Sequence, residues 1–166
     1  MAKDMILKTN YSSWQTFALT FLRVLIGWHF LYEGLVKLYT PGWTAKPYLQ
    51  GAVGPIGPLF KWMAQNDTIL SVANFLNQYG LVAVGLGLFL GLMSKPAKLA
   101  GIILVGLYYL AYPPFAVLGI NPHVEGSYWL VNKNLIELGA LWVLYLFPSS
   151  HITGIDRFIF KTKSLK

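Results

Sequence analysis

The chain has 166 residues, 55% of them hydrophobic and 11% charged, whereas about a quarter of the residues in a soluble domain are charged. The formal net charge is +7, but the basic residues do not form the face with interleaved aromatics that nucleic-acid-binding domains present, so we expect no nucleic-acid partner. Cysteine is absent, which excludes disulfides, thiolate chemistry, cysteine-ligated iron–sulfur clusters and covalently attached c-type haem.

Four apolar runs are long enough to cross a bilayer as helices, since about 20 helical residues span a hydrocarbon core of about 30 Å. We predict these helices over residues 14–39, 69–93, 97–118 and 129–147. The first two are separated by a long loop, in which the stretch "PLFKWMAQN" is predicted to form a short interfacial helix. The sequence therefore predicts a single all-α domain over residues 1–166, a four-transmembrane-helix bundle whose first partner is the lipid bilayer.

Basic residues flank the predicted helices unevenly, which predicts their orientation. One side carries Lys3, Lys8, Lys95, Lys98, Arg157, Lys161, Lys163 and Lys166. The other side carries only Lys46 and Lys61. Because lysine and arginine accumulate on the cytoplasmic side of membrane proteins, we expect both termini to be cytoplasmic.

The first predicted helix contains four ionisable residues, Arg23, His29, Glu33 and Lys37, in an otherwise apolar run. At about 100° per residue they share one stripe that covers roughly a third of the helix circumference. A charged side chain at the bilayer centre costs about 2.5–3.5 kcal/mol on insertion scales, so such residues usually face a protein interior and serve a function. Lys37 has an alternative, because its long side chain can extend to the outer membrane surface.

The fourth predicted helix supplies the partners for this stripe. Its outer half contains Asn132, Lys133, Asn134 and Glu137, and the standard helical rise places Glu137 level with His29 and Glu33. We therefore expect a polar cluster shared by the first and fourth helices, with Arg23 beneath it. Tyr112 and His123 lie near its outer end. Two alternatives stay open: ion pairs that only hold the helices together, and a metal site of His29, Glu33, Glu137 and His123.

Glycines in the second predicted helix indicate how the helices pack. Gly87 and Gly91 have GxxxG spacing, which lets two membrane helices approach closely. We interpret this motif as packing within one bundle. A seam between two copies in a homo-oligomer is the alternative.

The ordered set of motifs resembles the DoxX/DoxD family of small four-helix bacterial membrane proteins. The family's opening Arg, Gly, Gly and Lys are matched by Arg23, Gly27, Gly34 and Lys37 in "RVLIGWHFLYEGLVKL". The stretch "LGLFLGLMSKPAKLAG" is similar to its glycine-rich second helix and basic turn. "YYLAYPPF", "EGSYWLVNKNLIELGAL" and "GIDRF" resemble members described as the large subunit of a thiosulfate:quinone oxidoreductase.

This resemblance implies a bacterial cytoplasmic (inner) membrane protein that interacts with a non-covalently bound quinone and has a smaller partner subunit. We expect Glu33, His29 and Glu137 to act as catalytic groups that transfer protons. The expected quinone- or substrate-binding residues are Arg23, Lys37, Asn132, Lys133, Asn134, Tyr112 and His123. We expect no bound metal, haem or iron–sulfur cluster. The alternative function is a non-enzymatic module that binds a lipid or a partner protein, or a small proton-coupled transporter.

Overall fold

The computed structural model describes residues 11–114 and 127–159, and these residues are mostly helical. The helices are α1 (Ser13–Tyr39), α2 (Lys46–Gln50), α3 (Gly57–Gln65), α4 (Asp67–Phe75), α5 (Leu81–Leu90), α6 (Ser94–Ala111), α7 (Lys133–Leu146), α8 (Ser150–Thr153) and α9 (Asp156–Ile159). A π-helical turn, Leu76–Gly80, joins α4 to α5 without interrupting the helix. Two short strands, β1 (Ser127–Tyr128) and β2 (Val131–Asn132), pair antiparallel just before α7.

Local signals in the sequence start three of the long helices. Ser12 and Gln15 form a capping box at the start of α1, with Gln15 N donating to Ser12 Oγ at 3.2 Å. The side chain of Asn66 caps α4 and that of Asn132 caps α7, in each case by accepting from a backbone N–H three residues later. These caps satisfy amide groups that have no partner within the helix.

Two of the predicted membrane helices are confirmed as helices that could cross a bilayer. They are Ser13–Tyr39 and Asp67–Leu90, and both are long and apolar enough by length and composition. The prediction of four such helices is not confirmed. The helix α6 is 18 residues long and α7 only 14, which corresponds to about 21 Å of rise.

The loop and the helix bounds differ in detail from the sequence predictions. The second helix ends at Leu90 rather than 93, because Gly91 adopts a left-handed conformation (φ 65°). The predicted loop after α1 is not irregular, because α2 and α3 fold within it, α3 at the predicted interfacial segment. The third helix ends at Ala111, before the Pro113–Pro114 pair, and residues 115–118 lie outside the described residues. The fourth starts at Lys133 rather than 129, because Trp129 adopts a left-handed conformation (φ 58°) in the turn between β1 and β2.

The long helices pack in a ring: α1 on α5, α5 on α6, α6 on α7, and α7 on α1. Glycines bring α1 and α5 together, since a Cβ at Gly27 would lie 2.5 Å from Phe89 N. The core inside the ring is aliphatic apart from Phe30 and includes Leu88, Leu141 and Leu144, which are fully buried. This packing leaves the polar residues of α1 and α7 facing each other.

A second apolar cluster covers one end of the ring. It consists of Ala45, Leu49, Ala52, Phe60, Ala64, Leu70, Ala73 and Ala111. The backbone N–H groups of Val53 and Gly54 both donate to Ala111 O, at 3.1 and 3.0 Å, and so hold α2 and α3 over the end of α6. We call this the outer end of the bundle, and the end formed by the start of α1, the α5–α6 turn and α8–α9 the inner end.

Candidate functional site

A polar cavity of about 100 Å³ lies between α1, α5, α6 and α7, towards the outer end. Its lining consists of His29, Phe30, Glu33, Lys37, Leu81, Val105, Tyr108, Lys133, Asn134 and Glu137. His29, Glu33 and Lys37 share this wall because residues four apart lie on the same face of a helix. Since a water molecule takes up about 30 Å³ in the liquid, the cavity has room for a few waters or a small ion.

One hydrogen bond joins α1 to α7 across this cavity. His29 Nδ1 lies 2.7 Å from Glu137 Oε1, and with the carboxylate ionised the ring N–H is the donor. The Glu137 side chain is 12% exposed and the His29 side chain 44% exposed. Glu137 is therefore partly buried, whereas His29 is exposed at the outside of the ring.

Glu33 and Lys37 form the second ion pair of the site, within α1. Lys37 Nζ donates to Glu33 Oε2 at 2.6 Å and to the Glu33 backbone oxygen at 3.2 Å. The ammonium also lies 5.9 Å from the centre of the Trp43 ring, within cation–π range. Lys37 is thus held at the cavity rather than extended alone to the surface.

Tyr108, which is not among the site residues predicted from the sequence, lines the cavity from α6. Its hydroxyl donates to Asn77 Oδ1 at 2.6 Å, and Asn77 Nδ2 donates to Ala73 O at 2.9 Å. Asn77 lies in the π-helical turn, a feature found frequently at functional sites. The sequence does not distinguish Asn77, because the same helix also contains the polar residues Asn74 and Gln78.

Three tyrosine rings contact one another beside the cavity at the outer end, in edge-to-face and tilted arrangements. The Tyr48 ring lies 4.7 Å from the Tyr112 ring and 6.0 Å from the Tyr108 ring, measured between centres. Burial, together with these two neighbours, raises the pKa of the Tyr48 phenol above its usual value. Tyr48 is consequently a neutral hydrogen-bonding group here, and Tyr112 donates to its backbone oxygen at 2.8 Å.

An open apolar groove of about 330 Å³ runs between α1 and α7 on the outside of the ring. Its lining consists of Leu22, Leu25, Ile26, His29, Lys133, Ile136, Glu137 and Ala140. His29, Lys133 and Glu137 therefore belong to both the groove and the cavity. The His29–Glu137 pair lies where an apolar surface groove meets a polar interior.

Not all predicted site residues come together. The cavity includes His29, Glu33, Lys37, Lys133, Asn134 and Glu137. Asn132 is used as the helix cap of α7, and Arg23 lies at the inner end, about 9 Å along α1 from His29. Arg23 lies beneath the cluster, towards the inner end, and the apolar core that includes Ile26 separates the two.

The metal alternative has no support within residues 11–114 and 127–159. No three side chains among His, Cys, Asp and Glu are grouped there in a way that could hold a metal ion. His123, the fourth member of the predicted set, lies outside the described residues.

The side chains that line the cavity and the groove can hold protons, form charged hydrogen bonds and contact an apolar molecule at the outside of the ring. Each of these properties comes from the chain's own side chains. Compared with protein-family models, with curated proteins and with solved structures, the chain matches none of them.

Proposed function

We propose that this chain is a membrane-embedded, quinone-interacting oxidoreductase subunit of the DoxX/DoxD type. The observation that carries the proposal is the place of the His29–Glu137 pair, where the apolar groove between α1 and α7 meets the polar cavity. An isoprenoid quinone has the same division, an apolar tail and a head that takes up protons. The apolar groove would hold the tail, and the polar side chains at the cavity would contact the head.

The membrane location rests on an apolar stripe along α1 that no other part of the described chain covers. Trp14, Phe17, Phe21, Leu25, Trp28, Tyr32, Val36 and Tyr39 are all large and exposed. They recur every three or four residues, so they form one face of the helix, and a water-exposed face of this kind would be strongly unfavourable. We propose a bacterial inner-membrane protein with four spans, α1, α4–α5, α6 and α7, and cytoplasmic termini.

The groove suits a quinone better than the cavity does. The groove is open to the outside and mostly apolar, so a long apolar tail can lie in it, whereas the cavity of about 100 Å³ is too small for such a ligand. The aliphatic side chains of Leu22, Leu25 and Ile136 would contact the tail, which enters sideways from the lipid. The head would then lie against His29 and Lys133.

Reduction of a quinone to a quinol takes two electrons and two protons. In the proposal His29 donates one proton to a quinone oxygen, takes up another from the cavity waters and donates it to the second oxygen, while Glu137 holds the imidazole in position and stabilises its charged form. Glu33 and Lys37 connect this pair to the cavity waters. The two electrons come from two small sulfur anions such as thiosulfate, which couple through a new sulfur–sulfur bond to tetrathionate, either directly at this site or on a smaller partner subunit.

Quinone binding tests the groove without requiring the electron donor. The full chain in detergent is titrated with decyl-ubiquinone, and Kd is measured for wild type, Ile136→Trp and Val143→Trp. Filling the groove at Ile136 is expected to raise Kd roughly tenfold or more, since overpacking costs on the order of 1–3 kcal/mol. Val143 is exposed on the same helix but outside the groove, so Val143→Trp should bind like wild type.

Turnover tests the chemistry. With thiosulfate as donor, His29→Gln and Glu137→Gln are expected to lower kcat by on the order of 10² while Kd for quinone changes little. Unchanged binding in Ile136→Trp, or no quinone binding by wild type at all, would sink the proposal.

A non-enzymatic module is the second candidate. In each of the two ion pairs the acidic and the basic side chain neutralise each other, as they would in a purely structural contact. In that case Glu33→Gln and Lys37→Met would reduce thermal stability, and no variant would affect quinone binding. Retention of quinone in lipid extracted with the purified wild type favours the oxidoreductase.

A further inference from the structure

The inner end of the bundle contains a second polar group of residues, separate from the proposed quinone site. We call Arg23, Ser94, Lys98, Ser149 and Asp156 the Arg23 cluster. Each of these residues is at most 6% exposed, so the cluster is buried. It combines two cationic side chains with one carboxylate.

Two glycines allow the Arg23 guanidinium to lie between the α5–α6 turn and the segment that joins α8 to α9. A Cβ at Gly154 would lie 2.9 Å from Arg23 Nη1, and one at Gly91 would overlap the same nitrogen. The two segments are also hydrogen-bonded, because Ile155 N donates to Leu90 O at 3.1 Å and Asp156 N to Gly91 O at 2.9 Å. The guanidinium therefore lies in a slot built from three parts of the chain.

The one carboxylate of the cluster is already used. Asp156 Oδ1 accepts from Met93 N at 2.7 Å and Oδ2 from Ser94 N at 3.0 Å, so both oxygens cap the start of α6. No described residue forms an ion pair with Arg23 within 4 Å. The carboxylate offsets part of the positive charge from a distance, and the cluster stays cationic.

Polar atoms without partners are concentrated at this end. Within the described residues, the buried side-chain atoms that lack a hydrogen-bond partner are Arg23 Nε, Arg23 Nη1, Ser94 Oγ, Ser149 Oγ and Tyr11 Oη. All five can donate a hydrogen bond, and Tyr11 comes just before α1 at the same end. Buried polar groups in native proteins almost always have a partner, so a concentration of unpartnered donors calls for an acceptor.

From this geometry we propose that the Arg23 cluster binds a phosphate oxyanion, supplied by free phosphate or by the headgroup of an anionic phospholipid. An oxyanion would accept from one edge of the guanidinium, either Nε with Nη2 or Nη1 with Nη2, and from a serine hydroxyl, and it would neutralise the excess charge. The inner end is also the side that carries the exposed bases Lys95 and Arg157, where anionic headgroups gather. The proposal does not depend on the proposed quinone chemistry.

Thermal unfolding of the full chain, delipidated in a maltoside detergent that contains no phosphate, tests this site. One arm adds inorganic phosphate, with chloride at equal ionic strength as its control. The other adds dioctanoyl phosphatidylglycerol, with dioctanoylglycerol as its control. At about 100 times Kd a bound ligand is expected to raise Tm by roughly 5–10 °C in wild type.

Three variants connect the effect to the cluster. Arg23→Met and Lys98→Met should lose the rise in Tm, while Lys95→Met should keep it, because Lys95 is exposed and its ammonium lies over the Tyr145 ring. Should Arg23→Met not fold, Lys98→Met decides the outcome, with native mass spectrometry counting bound phosphate or lipid.

The two arms separate the sources of the oxyanion. A rise with inorganic phosphate assigns the site to a free anion, and a rise only with phosphatidylglycerol assigns it to a headgroup. The absence of a rise in both arms overturns the proposal. So does a rise that Arg23→Met and Lys98→Met retain, because it would then come from surface charge.

Discussion

At the scale of single residues, the close contact between α1 and α5 depends on glycines, which have no side chain. A Cβ at Gly27 would meet Phe89 Cα at 2.9 Å, and Gly34 and Gly85 are in similar positions along the same seam. In a membrane, helices associate through close van der Waals contact rather than through the hydrophobic effect. The seam is therefore sensitive to the addition of single methyl groups.

We predict that Gly27→Ala lowers the free energy of unfolding by about 1–3 kcal/mol, because the backbone of α5 must move away. The matched control is Gly139→Ala in α7, where an added Cβ has no neighbour within 4 Å. That variant should be neutral or more stable by up to about 1 kcal/mol, since alanine is the better helix former. Unfolding in a titration with a denaturing detergent measures both, and equal effects would contradict the prediction.

The stability of the folded protein depends on pH through His151, at the inner end of the bundle. Burial, with a further contribution from the Lys98 ammonium, lowers the pKa of His151 below its ordinary value of about 6.5. The folded protein thus favours the neutral ring, and the unfolded chain binds a proton first as the pH falls. Stability is then complete above about pH 6.5 and decreases as the pH falls through the folded pKa.

We therefore expect Tm of the wild type to decrease between pH 7.5 and pH 5, and the decrease to be smaller in His151→Gln. The glutamine keeps a polar side chain but does not titrate. Parallel Tm curves for the two proteins would show that His151 does not contribute.

At the scale of structural elements, the π-helical turn couples the helix formed by α4 and α5 to the site. Asn77 accepts from the Tyr108 hydroxyl at 2.6 Å, and the pair links this turn to α6 beside the cavity. A π turn adds a residue to the helix and so changes which side chains face a neighbour. Here it places an amide against a tyrosine that is in contact with the polar cavity.

We predict that Asn77→Leu lowers the free energy of unfolding by about 1–3 kcal/mol, because it leaves the Tyr108 hydroxyl buried without its acceptor. The double variant Asn77→Leu with Tyr108→Phe should recover most of that loss, since both polar groups are then gone. A double-mutant cycle measures the coupling between the two residues. Additive effects in the cycle would rule out a direct interaction.

At the scale of the whole molecule, the proposed topology can be mapped with engineered cysteines, because the natural chain has none. We expect Lys95→Cys and Arg157→Cys to react with a membrane-impermeant thiol reagent from one side of the membrane. Lys61→Cys, at the outer end, should react from the opposite side. Labelling of intact and of opened cells distinguishes them, and the same accessibility for all three would contradict a membrane-spanning bundle.

The sequence by itself determined the helical class, the two longest apolar helices and the face of α1 that carries His29, Glu33 and Lys37. These features need only the 3.6-residue period, the length of apolar runs and local caps such as Ser12. It also placed Glu137 at the depth of His29, because the rise per residue is constant. The DoxX/DoxD resemblance and the quinone function stay predictions.

Only the tertiary structure decided which groups pair. His29 bonds to Glu137 on another helix, Lys37 stays with Glu33, and Arg23 lies apart from them at the inner end. The cap that Asp156 provides for α6 comes from 62 residues further along the chain and has no local signal. How far one helix is rotated and shifted relative to its neighbour depends on how the two pack at glycine contacts and in the apolar core. The periodicity of a single helix does not contain that information.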